Sequence, residues 1–149
     1  MKLRYFHPTM LSAERIKQFL AKIHAQYTPG GPLDYEPDAY AAKLSNYAEA
    51  IVSSFNAVDF AGGVWGYCND LTSRIAYISY IAKTKDAPQG LGFQMHEAFR
   101  WFAIGRGMER VRLEVLRKNV HAQEFYDRLG YACIEEREHS FFLERTLAD

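Results

Sequence analysis

Two glycines at the start of a predicted helix are the first residues of this sequence that suggest a chemical role. Gly90 and Gly92 follow a β-rich run over residues 74–82 and a polar loop over residues 83–89. Glycine lets backbone N–H groups approach an anion, and a helix N-terminus adds about half a positive charge. The junction is therefore either a diphosphate-binding turn or simply a tight turn. It does not fit a dinucleotide-binding turn, because the sequence has no third Gly or Ala at the required position after Gly92.

A second cluster of regularly spaced residues follows a strand-like segment at residues 113–115. It reads Asn119-x-x-Ala122-x-x-Phe125-Tyr126-x-x-x-Gly130-Tyr131. Asn119 can cap a helix, and Gly130 can end it in the left-handed conformation. Tyr126 is then either a polar-tipped member of the buried helix face or a group with a role in catalysis.

Residues 74–147 resemble the GNAT superfamily of acyl-CoA-dependent N-acyltransferases in both motifs and in the spacing between them. The N-terminal half resembles the family only in the order of its elements. The resemblance implies an enzyme that transfers acetyl from acetyl-CoA to a primary amine by direct attack and needs no metal. The alternative is a module that binds or senses acyl-CoA without turnover.

The resemblance also implies where the acetyl donor binds. In the family, it lies between two splayed parallel strands, here residues 74–82 and 111–116, and its pyrophosphate takes N–H groups from the loop. Ala87 stands where the family usually has Gln or Arg, so the phosphate contacts are expected to be mostly backbone, with Lys83 and Lys85 as further charge partners. The implied acetyl-CoA-binding residues are Ile81, Ala82, Lys83, Ala87, Gln89, Gly90, Leu91, Gly92, Asn119 and Phe125.

The implied catalytic residues are Tyr126 and Asn119. Tyr126 corresponds to the family's general acid, which protonates the thiolate of departing coenzyme A. A phenol with a pKa of about 10 is protonated at pH 7 and can supply that proton. Asn119 either only caps its helix or also lies near the reaction centre.

A general base is harder to assign, because residues 74–82 contain no Asp or Glu, although the family often has a carboxylate there. A substrate ammonium with a pKa of about 10.4 must lose its proton before its nitrogen can attack. The remaining candidates are equally well explained as solvated surface groups. They are Asp34, Glu36, Asp38, Glu49, Asp70 and His139.

The amine acceptor is assigned to the side formed by the first two predicted helices, which varies most with substrate in the family. Acidic and aromatic residues there would suit a cationic small-molecule or peptide amine. The alternative is an exposed loop that binds no ligand. The residues assigned to the acceptor are Tyr27, Asp34, Tyr35, Glu36 and Tyr80.

Hydrophobic periodicity predicts the elements that must position these residues. The predicted helices span residues 12–27, 38–46, 92–106 and 119–129, and the predicted strands span residues 3–6, 50–55, 60–68, 74–82, 111–115, 131–138 and 141–146. The glycine pair Gly62-Gly63 in the third strand predicts a bulge or a close approach by another backbone. The order predicts a single α/β domain over residues 1–149 with a GNAT-like fold: a mixed, mostly antiparallel sheet, one splayed parallel pair, and helices on both faces.

Net charge and the first residues of the chain limit the expected partners and the expected cellular compartment. The chain has 18 Lys plus Arg and 18 Asp plus Glu, so neither nucleic acid nor a membrane is an expected partner. The first residues lack the apolar run of a signal peptide, which predicts a cytoplasmic protein with Cys68 and Cys133 as buried thiols. Phe141 and Phe142 either belong to the core or form a homodimer surface.

Overall fold

The computed structural model describes residues 2–148 and contains the predicted elements in the predicted order. Each element begins and ends within two residues of its predicted limits. No helix in this described part of the chain is both long and apolar enough to cross a membrane. The elements are β1 (Leu3–Phe6), α1 (Ala13–Tyr27), α2 (Pro37–Tyr47), β2 (Glu49–Ser54), β3 (Phe60–Tyr67), β4 (Ile75–Lys83), α3 (Leu91–Gly105), β5 (Arg110–Leu116), α4 (Val120–Arg128), β6 (Ala132–Glu136) and β7 (Ser140–Thr146).

The strands form one mixed sheet of seven strands in the order β1-β2-β3-β4-β5-β7-β6. The pairs β1–β2, β2–β3, β5–β7 and β6–β7 are antiparallel, whereas β4 and β5 are parallel. The parallel pairing runs from Ile75 opposite Arg110 to Tyr77 opposite Arg112, and residues 78–83 of β4 lie beyond it. The mixed sheet with one parallel pair is therefore confirmed.

Contacts divide the described chain into two compact units, residues 2–67 with 80–99 and residues 68–79 with 100–148. The core of the first unit includes the inner face of α1, where Ile16, Phe19, Leu20 and Ile23 recur at helical spacing. Ser12 caps this helix by accepting a hydrogen bond from the Arg15 N–H at 3.3 Å. Leu44 of α2 and Trp65 of β3 belong to the same core.

The structure shows both features that the glycine pair Gly62-Gly63 predicts for β3. The register between β2 and β3 shifts between Ser53 and Ser54. A Cβ atom at Gly62 would lie 3.1 Å from the Ala82 carbonyl oxygen, so the next strand approaches closely and a side chain here would require its neighbours to shift. At Gly63, a Cβ atom would lie only 2.6 Å from the Trp65 ring, so this glycine makes room for the indole.

The second unit has a buried face on β5, where Val111, Leu113 and Val115 alternate with more exposed residues. All five residues of β6, the last strand of the sheet, are exposed. The prediction of two buried thiols is therefore right for Cys68 and wrong for Cys133. A reducing compartment keeps a thiol free of disulfides, but it does not decide whether the thiol is buried.

Candidate active site

The turn between β4 and α3 has the geometry that its glycines predict. Gly90 has a φ of +87°, and a Cβ atom there would meet nothing within 4 Å. The space beside Gly90 is therefore open, and its backbone conformation is one that other residues rarely adopt. Because α3 begins at Leu91, Gly92 lies in the first helical turn, where N–H groups have no carbonyl partner within the helix.

Several N–H groups of the loop before Gly90 already have partners. The Thr84 N–H donates to the Ala61 carbonyl at 2.9 Å, and the Lys85 N–H donates to Gln26 Oε1 at 2.9 Å. The Ala87 N–H closes a turn onto the Thr84 carbonyl at 3.1 Å, and Leu91 donates to Pro88 at 3.3 Å. In the described chain, no backbone hydrogen bond of this kind uses the N–H of Gln89, Gly90 or Gly92. These three are the donors best able to bind an anion.

Two of the tyrosines assigned to the acceptor, Tyr35 and Tyr80, form a cluster with Tyr40 in the first unit. The Tyr35 ring centre is 5.1 Å from that of Tyr40, which is 6.4 Å from that of Tyr80. Burial raises the pKa of Tyr80 far above its usual value, and Tyr35, Tyr40 and Tyr27 add to this effect. Burial also raises the pKa of Tyr35, with a smaller contribution from Asp34. These phenols therefore stay protonated at neutral pH.

Three of the acidic residues considered as a general base have structural partners. Glu36 caps α2, where its carboxylate accepts the Ala39 N–H at 2.6 Å. Asp38 forms an ion pair with Lys17 at 2.7 Å. The carboxylate of Glu49, on β2, lies 2.8 Å from His7 Nδ1. These contacts give Glu36, Asp38 and Glu49 roles other than binding a ligand.

Two further base candidates lie in the second unit. Asp70 accepts hydrogen bonds from the N–H groups of Thr72 and Ser73. Hydrogen bonds from Ser73 hold the pKa of Asp70 below its usual value, which makes this carboxylate a weaker base. The His139 side chain is 84% exposed and lies 3.5 Å from Glu138. Neither residue has the buried environment that would tune it as a base.

The residues assigned to catalysis lie at the two ends of α4. The Asn119 side chain accepts the Ala122 N–H at 3.2 Å, so its capping role is present. Tyr126 is only 7% exposed, and its ring packs edge-on against Phe125 and Tyr131, with both centre-to-centre distances 5.4 Å. Burial raises the pKa of Tyr126 well above its usual value, so its hydroxyl remains a proton donor across the neutral range.

Two residues near these groups are absent from the sequence assignment. Trp65 is fully buried, and its ring centre lies 6.0 Å from that of Tyr80, so it supports the tyrosine cluster. Its signal is the glycine two residues earlier, since Gly63 and Trp65 share one face of the strand. Gln26 contacts the Lys85 backbone from α1, and no local pattern indicates that contact.

Comparison with known proteins identifies the family. The GNAT acetyltransferase of Staphylococcus aureus Mu50 shares 15% identity and superposes with a TM-score of 0.76, covering 98% of this chain and 99% of its own. The PaiA N-acetyltransferase of Thermoplasma acidophilum, solved in complex with coenzyme A, shares 13% identity with a TM-score of 0.73, covering 98% and 99%. The ribosomal-protein-S18-alanine N-acetyltransferase of Escherichia coli shares 16% identity with a TM-score of 0.72, covering 99% and 96%.

At these identities the structural neighbours establish the fold alone. A search of the curated proteins finds no significant match. The family model described as "Acetyltransferase (GNAT) family" matches residues 17–131, which is more than half of the sequence. The chain therefore belongs to the GNAT acetyltransferase family.

Proposed function

We propose that this protein is an N-acetyltransferase that transfers the acetyl group of acetyl-CoA to a primary amine by direct attack. The observation that carries the proposal is the turn at Gly90, where an open space adjoins uncommitted N–H groups at a helix N-terminus. Such a turn suits the diphosphate of coenzyme A, because backbone donors and the helix dipole both favour an anion. Membership of the GNAT family supports the same donor.

The donor would extend from this turn along the end of β4. Residues 78–83 lie beyond the pairing with β5, so the backbone of Ile81 and Ala82 is suited to hydrogen-bond the pantetheine. Gln89, Gly90 and Gly92 would bind the diphosphate through their N–H groups, and Lys83 and Lys85 would add positive charge. Ala87 and Leu91 would shape the turn, since their own N–H groups bond to carbonyls within it.

The reaction needs one proton donor and one proton acceptor. The neutral amine attacks the thioester carbon, the carbon–sulfur bond breaks, and the departing thiolate takes the hydroxyl proton of Tyr126, which regains a proton from solvent before the next turnover. Asn119 caps α4 and thereby fixes the helix that carries Tyr126. Phe125 packs against the Tyr126 ring and would line the donor site. The proton released by the amine passes to a carboxylate or to water.

The acceptor would bind at the tyrosine cluster of the first unit. The rings of Tyr35 and Tyr80 can contact a cationic amine through their faces, and Asp34 would add negative charge. Glu36 contributes less to this attraction, because its carboxylate is bonded to the start of α2. A small-molecule amine or a peptide amine fits this chemistry.

Thiol release from acetyl-CoA across a panel of amines tests the proposal, together with calorimetric binding of coenzyme A. We expect saturable, amine-dependent release and binding of coenzyme A. Tyr126→Phe should lower kcat by about 10²- to 10⁴-fold, the usual cost of losing a general acid, with the affinity for coenzyme A unchanged. Tyr131→Phe is the matched control, because it removes a hydroxyl from a ring of the same 7% exposure.

The outcomes distinguish an N-acetyltransferase from a module that binds acyl-CoA without turnover. Binding of coenzyme A without thiol release for any amine would favour a module that only binds or senses acyl-CoA. Full turnover by Tyr126→Phe would show that Tyr126 is a core residue and that another group protonates the thiolate.

A further inference from the structure

The end of α1 is attached to the loop that follows β4. The Tyr27 hydroxyl donates a hydrogen bond to the Lys83 carbonyl oxygen at 2.8 Å, and the Lys85 N–H donates to Gln26 Oε1 at 2.9 Å. The Lys85 ammonium also lies 5.3 Å from the centre of the Tyr27 ring, within cation–π range. Two adjacent side chains of α1 therefore hold the first part of the loop.

The contacts act on two consecutive peptide units. The Lys83 carbonyl and the Thr84 N–H belong to one peptide unit, whose oxygen is held by Tyr27 and whose N–H is held by the Ala61 carbonyl. The next unit is held through the Lys85 N–H by Gln26. The direction in which the loop leaves β4 is thereby fixed at its start, ahead of the donors at Gln89 and Gly90.

The end of α1 is itself held in place. His24 Nδ1 lies 2.8 Å from the Thr28 hydroxyl, and His24 Nε2 lies 2.9 Å from the Gly31 carbonyl oxygen. The Thr28 N–H also bonds to the His24 carbonyl at 2.9 Å. Gln26 and Tyr27 therefore extend from a helix end that His24 ties to the segment that follows it.

We infer that Gln26 and Tyr27 are positioning residues for the acetyl donor, which hold the loop after β4 in the form that binds the diphosphate. The inference rests on the proposed function. It moves Tyr27 from the acceptor, to which the sequence assigned it, to the donor. Because the loop is ordered before the donor arrives, the donor does not have to supply the free energy of ordering it.

Two variants test the inference with little change to packing. Tyr27→Phe removes the hydroxyl but keeps the ring beside Lys85, and Gln26→Leu removes the acceptor but keeps most of the volume. Each should raise the Kd for coenzyme A and the KM for acetyl-CoA by about 2- to 12-fold, the effect of one hydrogen bond. The kcat at saturating acetyl-CoA and the KM for the amine should not change.

Matched controls separate this effect from a general loss of tyrosine or glutamine side chains. Tyr47→Phe alters a tyrosine that is 65% exposed at the end of α2. Gln18→Leu alters an exposed glutamine two turns earlier in α1, whose amide bonds to Glu14 at 3.4 Å. Both controls should keep the wild-type Kd for coenzyme A.

Each result decides between the inference and the proposed function. If wild-type protein does not bind coenzyme A, the proposed function fails and the inference fails with it. If the wild-type protein binds coenzyme A and both variants bind it as tightly as the wild type does, only the inference fails. A higher KM for the amine with an unchanged KM for acetyl-CoA would return Tyr27 to the acceptor and also overturn the inference.

Discussion

Replacing Gly90 with alanine tests whether the backbone at the start of α3 contacts the acetyl donor. The φ of Gly90 is +87°, and a Cβ atom at this position would meet nothing within 4 Å. The new methyl group therefore meets no atom of the protein itself. The cost to the folded state is only the strain of a positive φ, about 1–2 kcal/mol in the free energy of unfolding.

The binding free energy lost for the acetyl donor should be larger than this loss of folding stability. A diphosphate that approaches the N–H groups of Gly90 and Gly92 would meet the added methyl group. Losing one hydrogen bond to a charged group costs about 1.5–3 kcal/mol, which corresponds to a Kd for acetyl-CoA about 10- to 150-fold higher.

Gly107→Ala provides the matched control for backbone strain. Gly107 has a φ of +84°, and its Cβ position is also open, but it lies in the turn between α3 and β5. Urea unfolding should show a similar loss of stability in both variants, while calorimetry should show weaker acetyl-CoA binding only for Gly90→Ala. If Gly90→Ala binds acetyl-CoA as tightly as Gly107→Ala does, the diphosphate does not contact this turn.

Three further predictions concern stability. Burial raises the pKa of Tyr80, Tyr126 and Tyr131 above the unfolded value of about 10, so their contribution to stability is retained below pH 10 and lost above it. Urea unfolding at pH 11 should give a free energy about 4 kcal/mol lower than at pH 9, and equal values would contradict this. Asn119→Ala should lower the free energy of unfolding by about 0.5–2 kcal/mol through loss of the cap, and Asn119→Asp should restore it. Gly63→Ala should cost about 1–3 kcal/mol because its Cβ would lie 2.6 Å from the Trp65 ring, whereas Gly105→Ala, whose Cβ meets nothing within 4 Å, should show no such loss in thermal unfolding.

The elements could be predicted because their signals are local. The inner face of α1 repeats apolar residues at helical spacing, and β5 alternates buried and more exposed residues. Gly90 and Gly130 were predicted as turn or stop positions, and both have positive φ. In each case the residues that give the signal lie within a few positions of the structure they determine.

The partners of the polar side chains could not be predicted in the same way. Glu36, Asp38 and Asp34 look alike in the sequence, yet Glu36 caps α2 and Asp38 pairs with Lys17. Tyr27 and the Lys83 carbonyl are 56 residues apart in the chain, so only the packing of α1 beside the loop brings them together. Such contacts depend on tertiary structure, which periodicity and spacing do not determine.

The shifted pKa values determine which proton transfers the tyrosines can carry out. Burial is the main cause of the rise in the pKa of Tyr80 in the first unit and of Tyr126 in the second. A phenol whose pKa is raised stays protonated at neutral pH. It therefore still holds a proton to donate, but it cannot accept one. Since β4 has no carboxylate, neither its own side chains nor these tyrosines can take the proton of the attacking ammonium. In the proposed reaction, Tyr126 therefore protonates the departing thiolate, and the amine must lose its proton to another group or to water.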